Sequence, residues 1–167
     1  MPNLYVVTGP AGVGKSTISR RLATIKEKSV LIEGDTIYSQ VVGGYVSAWK
    51  EGNHLKIFWK ICLDMIESYL SEGYDVVFNY IVNPEHLEMI KERFSNVKFI
   101  ILIADEDELL KRDLLRPENC QMRDRCLVLL ESFKNKDYGK NYMLDTTNLS
   151  MGEIIDVFET DDRFLVN

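Results

Sequence analysis

The chain has 167 residues, 46% of them hydrophobic, which is the size of one ordinary domain with room for a substantial core. Its net charge is -6, with acidic and basic residues interleaved, and it lacks the basic surplus of most nucleic-acid binders. Cys62, Cys120 and Cys126 form no CxxC pair, which argues against a disulfide scaffold or a zinc site, and no stretch reaches the roughly 18 apolar residues of a membrane span.

In chain order, short apolar runs alternate with longer amphipathic stretches. "LYVV" (4–7) reads as a buried strand. A glycine-rich loop follows, then a helix with Ile18, Leu22 and Ile25 on one face. "SVLIEG" (29–34) is the second strand. Leu55, Phe58, Trp59, Cys62, Ile66, Tyr69 and Leu70 mark a four-turn helix before the third strand, "DVVFNY" (75–80). Helical patterns over 85–94, 106–115, 122–133 and 152–158 surround the strands "KFIILIA" (98–104) and "NYMLDT" (141–146). Near-continuous apolar strands alternating with helices predict one α/β domain over 1–167, a three-layer α/β/α arrangement around about five parallel strands.

The loop Gly9-Pro10-Ala11-Gly12-Val13-Gly14-Lys15-Ser16 fits G-x-x-x-x-G-K-[ST] at every fixed position, with a strand before it and a helix after it. Glycines let backbone N–H groups approach phosphate oxygens without a Cβ clash. The helix start near Lys15 points its positive dipole end at the same anion. Lys15 is placed for the β- and γ-phosphates, Ser16 for a Mg²⁺ ion, and Thr17 for the α-phosphate. The spacing G-x-G-x-x-G is absent, so a nicotinamide site is not predicted.

The second strand ends in Glu33-Gly34-Asp35. Strand carboxyl ends line the crevice of an open parallel sheet, so Asp35 is predicted to face the γ-phosphate. There it can take a proton from an acceptor hydroxyl or hold Mg²⁺ through water. The plainer role for Asp35 is a helix N-cap before "TIYSQVV". The third strand ends in Asn79-Tyr80 where an ATPase or GTPase carries an acid, and no Asn-Lys-x-Asp guanine reader exists. In "KRDLLRPENCQMRDR" (111–125), Pro117 breaks a helix among Arg112, Arg116, Arg123 and Arg125. The segment 116–125 reads as a lid whose arginines neutralise a transferring phosphoryl group, or as a solvated turn.

Together, "YVVTGPAGVGKST…IEGD…RDLLR" resembles the small-metabolite kinases of the adenylate-kinase-like P-loop group, most of all gluconate and shikimate kinases, with chloramphenicol phosphotransferase as a relative. The resemblance spans nearly the whole chain. It implies a five-stranded parallel sheet in the order 2-3-1-4-5 with a small helical lid. It implies that Lys15 and Ser16 bind ATP and Mg²⁺, that Asp35 contacts or deprotonates the acceptor hydroxyl, and that Arg112 lies against the adenine. Arg116 or a lid arginine such as Arg123 would meet the phosphates, and "DTTNLS" (145–150) would complete the adenine pocket.

The chain departs from that pattern after Asp35. Gluconate and shikimate kinases place arginines there for a substrate carboxylate. "DTIYSQVVGGYVSAWKEGNH" offers instead Lys50, His54, Tyr38, Tyr45 and Trp49. The aromatics are either ligand-facing or core, and His54 either touches substrate or caps the helix beginning at Leu55. The expected activity is ATP- and Mg²⁺-dependent transfer to a small-molecule hydroxyl in the cytoplasm, with no membrane and no nucleic-acid partner. The alternatives are a nucleoside, nucleotide or polynucleotide kinase, and a regulatory nucleotide binder with little or no turnover.

Overall fold

The structure is a computed structural model describing residues 1–166. Its centre is β1 (Leu4–Thr8), buried at all five positions. Successive side chains of a strand point to opposite faces. Leu4 and Val6 accordingly enter one apolar cluster, and Tyr5 and Val7 the other. The first cluster is closed by α3 (Asn53–Ser71) and α4 (Pro84–Arg93), which bury Phe58, Trp59, Ile66, Leu87 and Ile90. The second is closed by α1 (Lys15–Ile25), α5 (Glu106–Leu114), α6 (Arg125–Asn135) and α7 (Met151–Thr160), through Ile18, Leu22, Leu109, Leu130 and Phe158. Burying each large side chain of this kind contributes about 2 kcal/mol.

Parallel β3 (Asp75–Asn79) and β4 (Val97–Ile103) flank β1, in the registers Leu4↔Val76 and Leu4↔Val97. Outside them lie β2 (Ser29–Glu33) and β5 (Met143–Asp145), giving the expected order β2-β3-β1-β4-β5. A sixth strand, β6 (Leu165–Val166), was not expected. It runs antiparallel to the start of β4, below the stretch that β5 occupies. Two residues are too short to show a strand period, so nothing in the sequence announced it. Helix α2 (Gly34–Ser39) follows β2 directly; its N-cap is Glu33, and Asp35 lies in its first turn. The acidic stretch 105–108 opens α5, where the Asp105 carboxylate accepts the Glu108 N–H at 2.8 Å.

All five parallel strands present their carboxyl ends to one edge of the sheet. That edge carries the loops after β1, β2, β3 and β5.

Candidate active site

The loop after β1 has three glycines at positive φ, Gly9 (142°), Gly12 (82°) and Gly14 (101°). At Gly9 the requirement is also steric. A Cβ there would sit 2.3 Å from the Leu102 carbonyl oxygen, so the chain leaves the sheet only as glycine. Lys15, at the start of α1, turns its Nζ back to donate to the carbonyls of Gly9 and Pro10, each at 2.9 Å. Burial pulls its pKa down to about 8, with nearby Asp35 opposing the shift and Arg116 adding to it. Ser16 and Thr17 are exposed. The Asn79 amide at the end of β3 donates to the Ser16 hydroxyl at 3.1 Å. Asn79 therefore orients the candidate metal ligand from the position where other P-loop enzymes keep an acid.

These residues open into a cleft of about 990 Å³. Ala11 to Ile18, Asp35, Arg112 and Arg116 line it, whereas Gly9, Pro10 and Arg123 do not. Asp35 is exposed on α2 and reaches the cleft because Gly34 lets α2 begin against Tyr80. A Cβ on Gly34 would lie 2.5 Å from Cδ2 of that ring.

The lid side is built around Asp113, only 1% exposed. Its carboxylate accepts from the Arg116 guanidinium at 3.0 Å and from the N–H groups of Met122 and Arg123 at 2.9 and 2.7 Å. Burial alone would raise its pKa, but these donors hold it below the ordinary carboxylate range. Arg123 contributes its backbone, at φ 49°, while its side chain is exposed outside the cleft. Arg125 lines the cleft instead, with its guanidinium 4.8 Å from the centre of the Trp49 ring. Arg112 is tied to three elements. Its Nε donates to Glu108 at 2.8 Å, Nη1 to the Val13 carbonyl at 3.3 Å and the Thr146 hydroxyl at 2.9 Å, and Nη2 to the Thr146 carbonyl at 3.0 Å. It thus clamps the glycine loop to the segment after β5, whose Leu149 also lines the cleft.

The far side of the cleft is aromatic. Tyr45 and Trp49 are 55% and 69% exposed and line the cleft, so they are not core residues. Tyr38 is buried, and its hydroxyl donates to the Val46 carbonyl, fixing the loop that carries Tyr45. Trp59 stacks on His86 with ring centres 4.2 Å apart. The Asn83 N–H donates to His86 Nδ1 at 3.1 Å, and Lys136 Nζ donates to the Asn83 side-chain oxygen at 2.8 Å. Burial, with Lys136 assisting, pushes the His86 pKa down despite Glu85. His54 is the second residue of α3 rather than its cap, and neither it nor Lys50 lines the cleft.

Among the described residues no group of three or more His, Cys, Asp or Glu side chains could hold a metal ion. A Mg²⁺ ion keeps several waters and is held largely by substrate phosphates with one or two protein oxygens. The Ser16 hydroxyl, exposed and oriented by Asn79, fits such a role, with Asp35 across the cleft.

The sequence pattern of the AAA domain family matches residues 6–139. The chain belongs to this family of P-loop domains. No curated protein sequence matches it significantly. Solved structures of the same fold include a tunicamycin resistance protein of Deinococcus radiodurans, 17% identical over 95% of this chain and 94% of that one, with a TM-score of 0.71. A sugar kinase from Janibacter superposes over all of both chains at 13% identity and a TM-score of 0.73. A gluconokinase from Sinorhizobium meliloti is 18% identical over 94% of this chain and 89% of its own, with a TM-score of 0.68. This P-loop domain therefore has the fold of small-molecule kinases. Among its described residues no helix is long and apolar enough to cross a membrane.

Three features of this P-loop domain escape sequence reading: the buried Asp113 behind the lid, Lys136 in the cleft, and His86 with its Asn83 partner. Only the tetrapeptide "NPEH" hints at the last, as a proline-started helix with a side chain positioned to cap it.

Proposed function

We propose that the protein is an ATP-dependent phosphotransferase, a single domain over 1–167 with a lid at about 116–125, acting on a hydroxyl of a small molecule in the cytoplasm. One observation carries the reading: Lys15 and Ser16 of the phosphate loop and the exposed carboxylate of Asp35 line the same cleft, which continues into a separate aromatic half. A hydrolase needs no such second half; an acceptor does.

Backbone N–H groups from Gly12 to Ser16 and the Lys15 ammonium hold the phosphates. Asp35 receives the proton of the acceptor hydroxyl as its oxygen bonds to the γ-phosphorus and the bond to the β-phosphate oxygen breaks, leaving ADP. Arg116 and Arg125 are the lid cations in the cleft and stabilise the charge on the moving group. Arg123, a lid candidate on sequence, serves through its backbone bond to Asp113. Ser16, with Asp35 through water, would hold a Mg²⁺ ion, which would supply charge neutralisation at the phosphates. The free thiols of Cys62, Cys120 and Cys126 agree with a reducing compartment.

Lys15→Ala should lower acceptor-dependent ADP release from Mg²⁺-ATP by about a thousandfold while the thermal unfolding midpoint stays within a few degrees. Wild-type turnover in that variant would sink the assignment of the phosphate loop.

A further inference from the structure

The acceptor half of the cleft has a chemical character of its own. Tyr45 and Trp49 are large aromatic rings open to solvent at its wall, Trp49 with the Arg125 guanidinium over its ring, and a protein rarely maintains such exposure without a use. At its floor, His86 is held in one tautomer. Its Nδ1 accepts from the Asn83 backbone, so the proton sits on Nε2, the ring's one uncommitted polar atom. The ring cannot swing, because it is stacked on Trp59. Lys136, tethered to the same Asn83, adds donors beside it. The exposed carboxylate of Glu85 also lines this half and offsets the charge of Lys136, so the pair supplies no net cation to hold an acidic acceptor.

Resting on the phosphotransferase reading, we propose that the acceptor is an uncharged molecule with a flat unsaturated ring and a primary or secondary hydroxyl. The ring seats against Tyr45 and Trp49. A carbonyl oxygen or ring nitrogen of the acceptor takes hydrogen bonds from His86 Nε2–H and Lys136, which leaves the hydroxyl toward Asp35. A polyhydroxy acid has no ring to stack and a charge for which the pair supplies no net cation.

The test reads binding apart from turnover. The chain's two tryptophans, Trp49 and Trp59, both line the cleft, so their fluorescence reports on it directly. The probes are uridine and 4-(hydroxymethyl)benzamide, with gluconate and methyl glucoside as saturated controls. Calorimetry backs the fluorescence titration. Both ring probes should bind at least about tenfold more tightly than either control. His86→Asn, which keeps an acceptor for the Asn83 N–H but removes the donor at the Nε2 position, should weaken the ring probes about tenfold. His86→Gln, which restores a donor there, should recover most of that loss, and ATP affinity should be equal in all three proteins. Controls binding as tightly as the ring probes, unchanged ring-probe affinity in His86→Asn, or no saturable binding of either ring probe would each overturn the proposal. Ring-probe binding without ADP release would keep a ring-binding half of the cleft but overturn its reading as an acceptor site, and with it the phosphotransferase reading.

Discussion

Lys15 is the residue whose charge the cleft alters most. Its pKa in the folded protein, about 8, lies below the usual 10.5, so between those values the folded chain binds fewer protons than the unfolded one. Stability from this group therefore rises with pH across that window, and the charged lysine is a cost below it. A bound triphosphate reverses the balance by supplying opposite charge. ATP binding near pH 8.5 should then take up a substantial fraction of a proton, and almost none near pH 6.5. Calorimetry in two buffers of different ionisation enthalpy measures this, and Lys15→Ala should abolish the uptake. Asn79 is the second residue of consequence, since its amide is the only side-chain hydrogen-bond partner the described structure gives Ser16. Asn79→Leu should raise the Mg²⁺ concentration needed for half-maximal turnover several-fold, with a stability loss of about 1 kcal/mol.

The lid shows how an element can be held by one buried group. α5 ends at Leu114, Leu115 and Arg116 turn out of it, Pro117 forbids its continuation, and the chain returns to α6 through a short 3₁₀ turn at Glu118–Cys120. Such a segment has little core of its own. Asp113 gathers both ends of it, accepting from Arg116 on one side and from Met122 and Arg123 on the other. Asp113→Ala strands two backbone donors and should cost about 3 kcal/mol. Hydrogen exchange should quicken over 116–125 before it changes in β1 or β4. Because the Asp113 pKa is depressed, its contribution is complete above the unfolded value near 3.9 and is lost as pH falls through the lower folded value. Acid should accordingly loosen the lid of the wild type and leave the Asp113→Ala lid unaltered.

At the scale of the whole molecule, the fold was legible because its signals are local. Five apolar runs, the helices between them and the glycine loop each occupy a short window, and the sheet order follows once the resemblance is recognised. The cleft was legible only in part. Lys15, Ser16, Asp35, Arg112 and Arg116 all line it; the loop motif and the strand end point to the first three, and the Arg-x-x-x-Arg spacing to the other two. His86 and Lys136 lie far apart in sequence and converge only through Asn83, and no window contains both. Arg123 sits just before α6 and Arg125 opens it; the two letters are alike, and the structure turns Arg125 into the cleft and Arg123 out of it. Tyr45 and Trp49 carry the same letters whether they pack or wait; exposure separates the two roles.

The clamp made by Arg112 reaches beyond architecture. Its Nε and both terminal nitrogens are committed in the plane of the guanidinium, to Glu108, Val13 and Thr146. What it can still offer a nucleotide is its flat face and one remaining Nη2–H. A face stacks on any purine alike and is blind to the atoms around the rim, where adenine and guanine differ. Were that face to carry the base, donor choice would become a matter of surface area. GTP should replace ATP with less than about a tenfold change in KM, while a pyrimidine triphosphate, with its smaller ring, should fall well behind both.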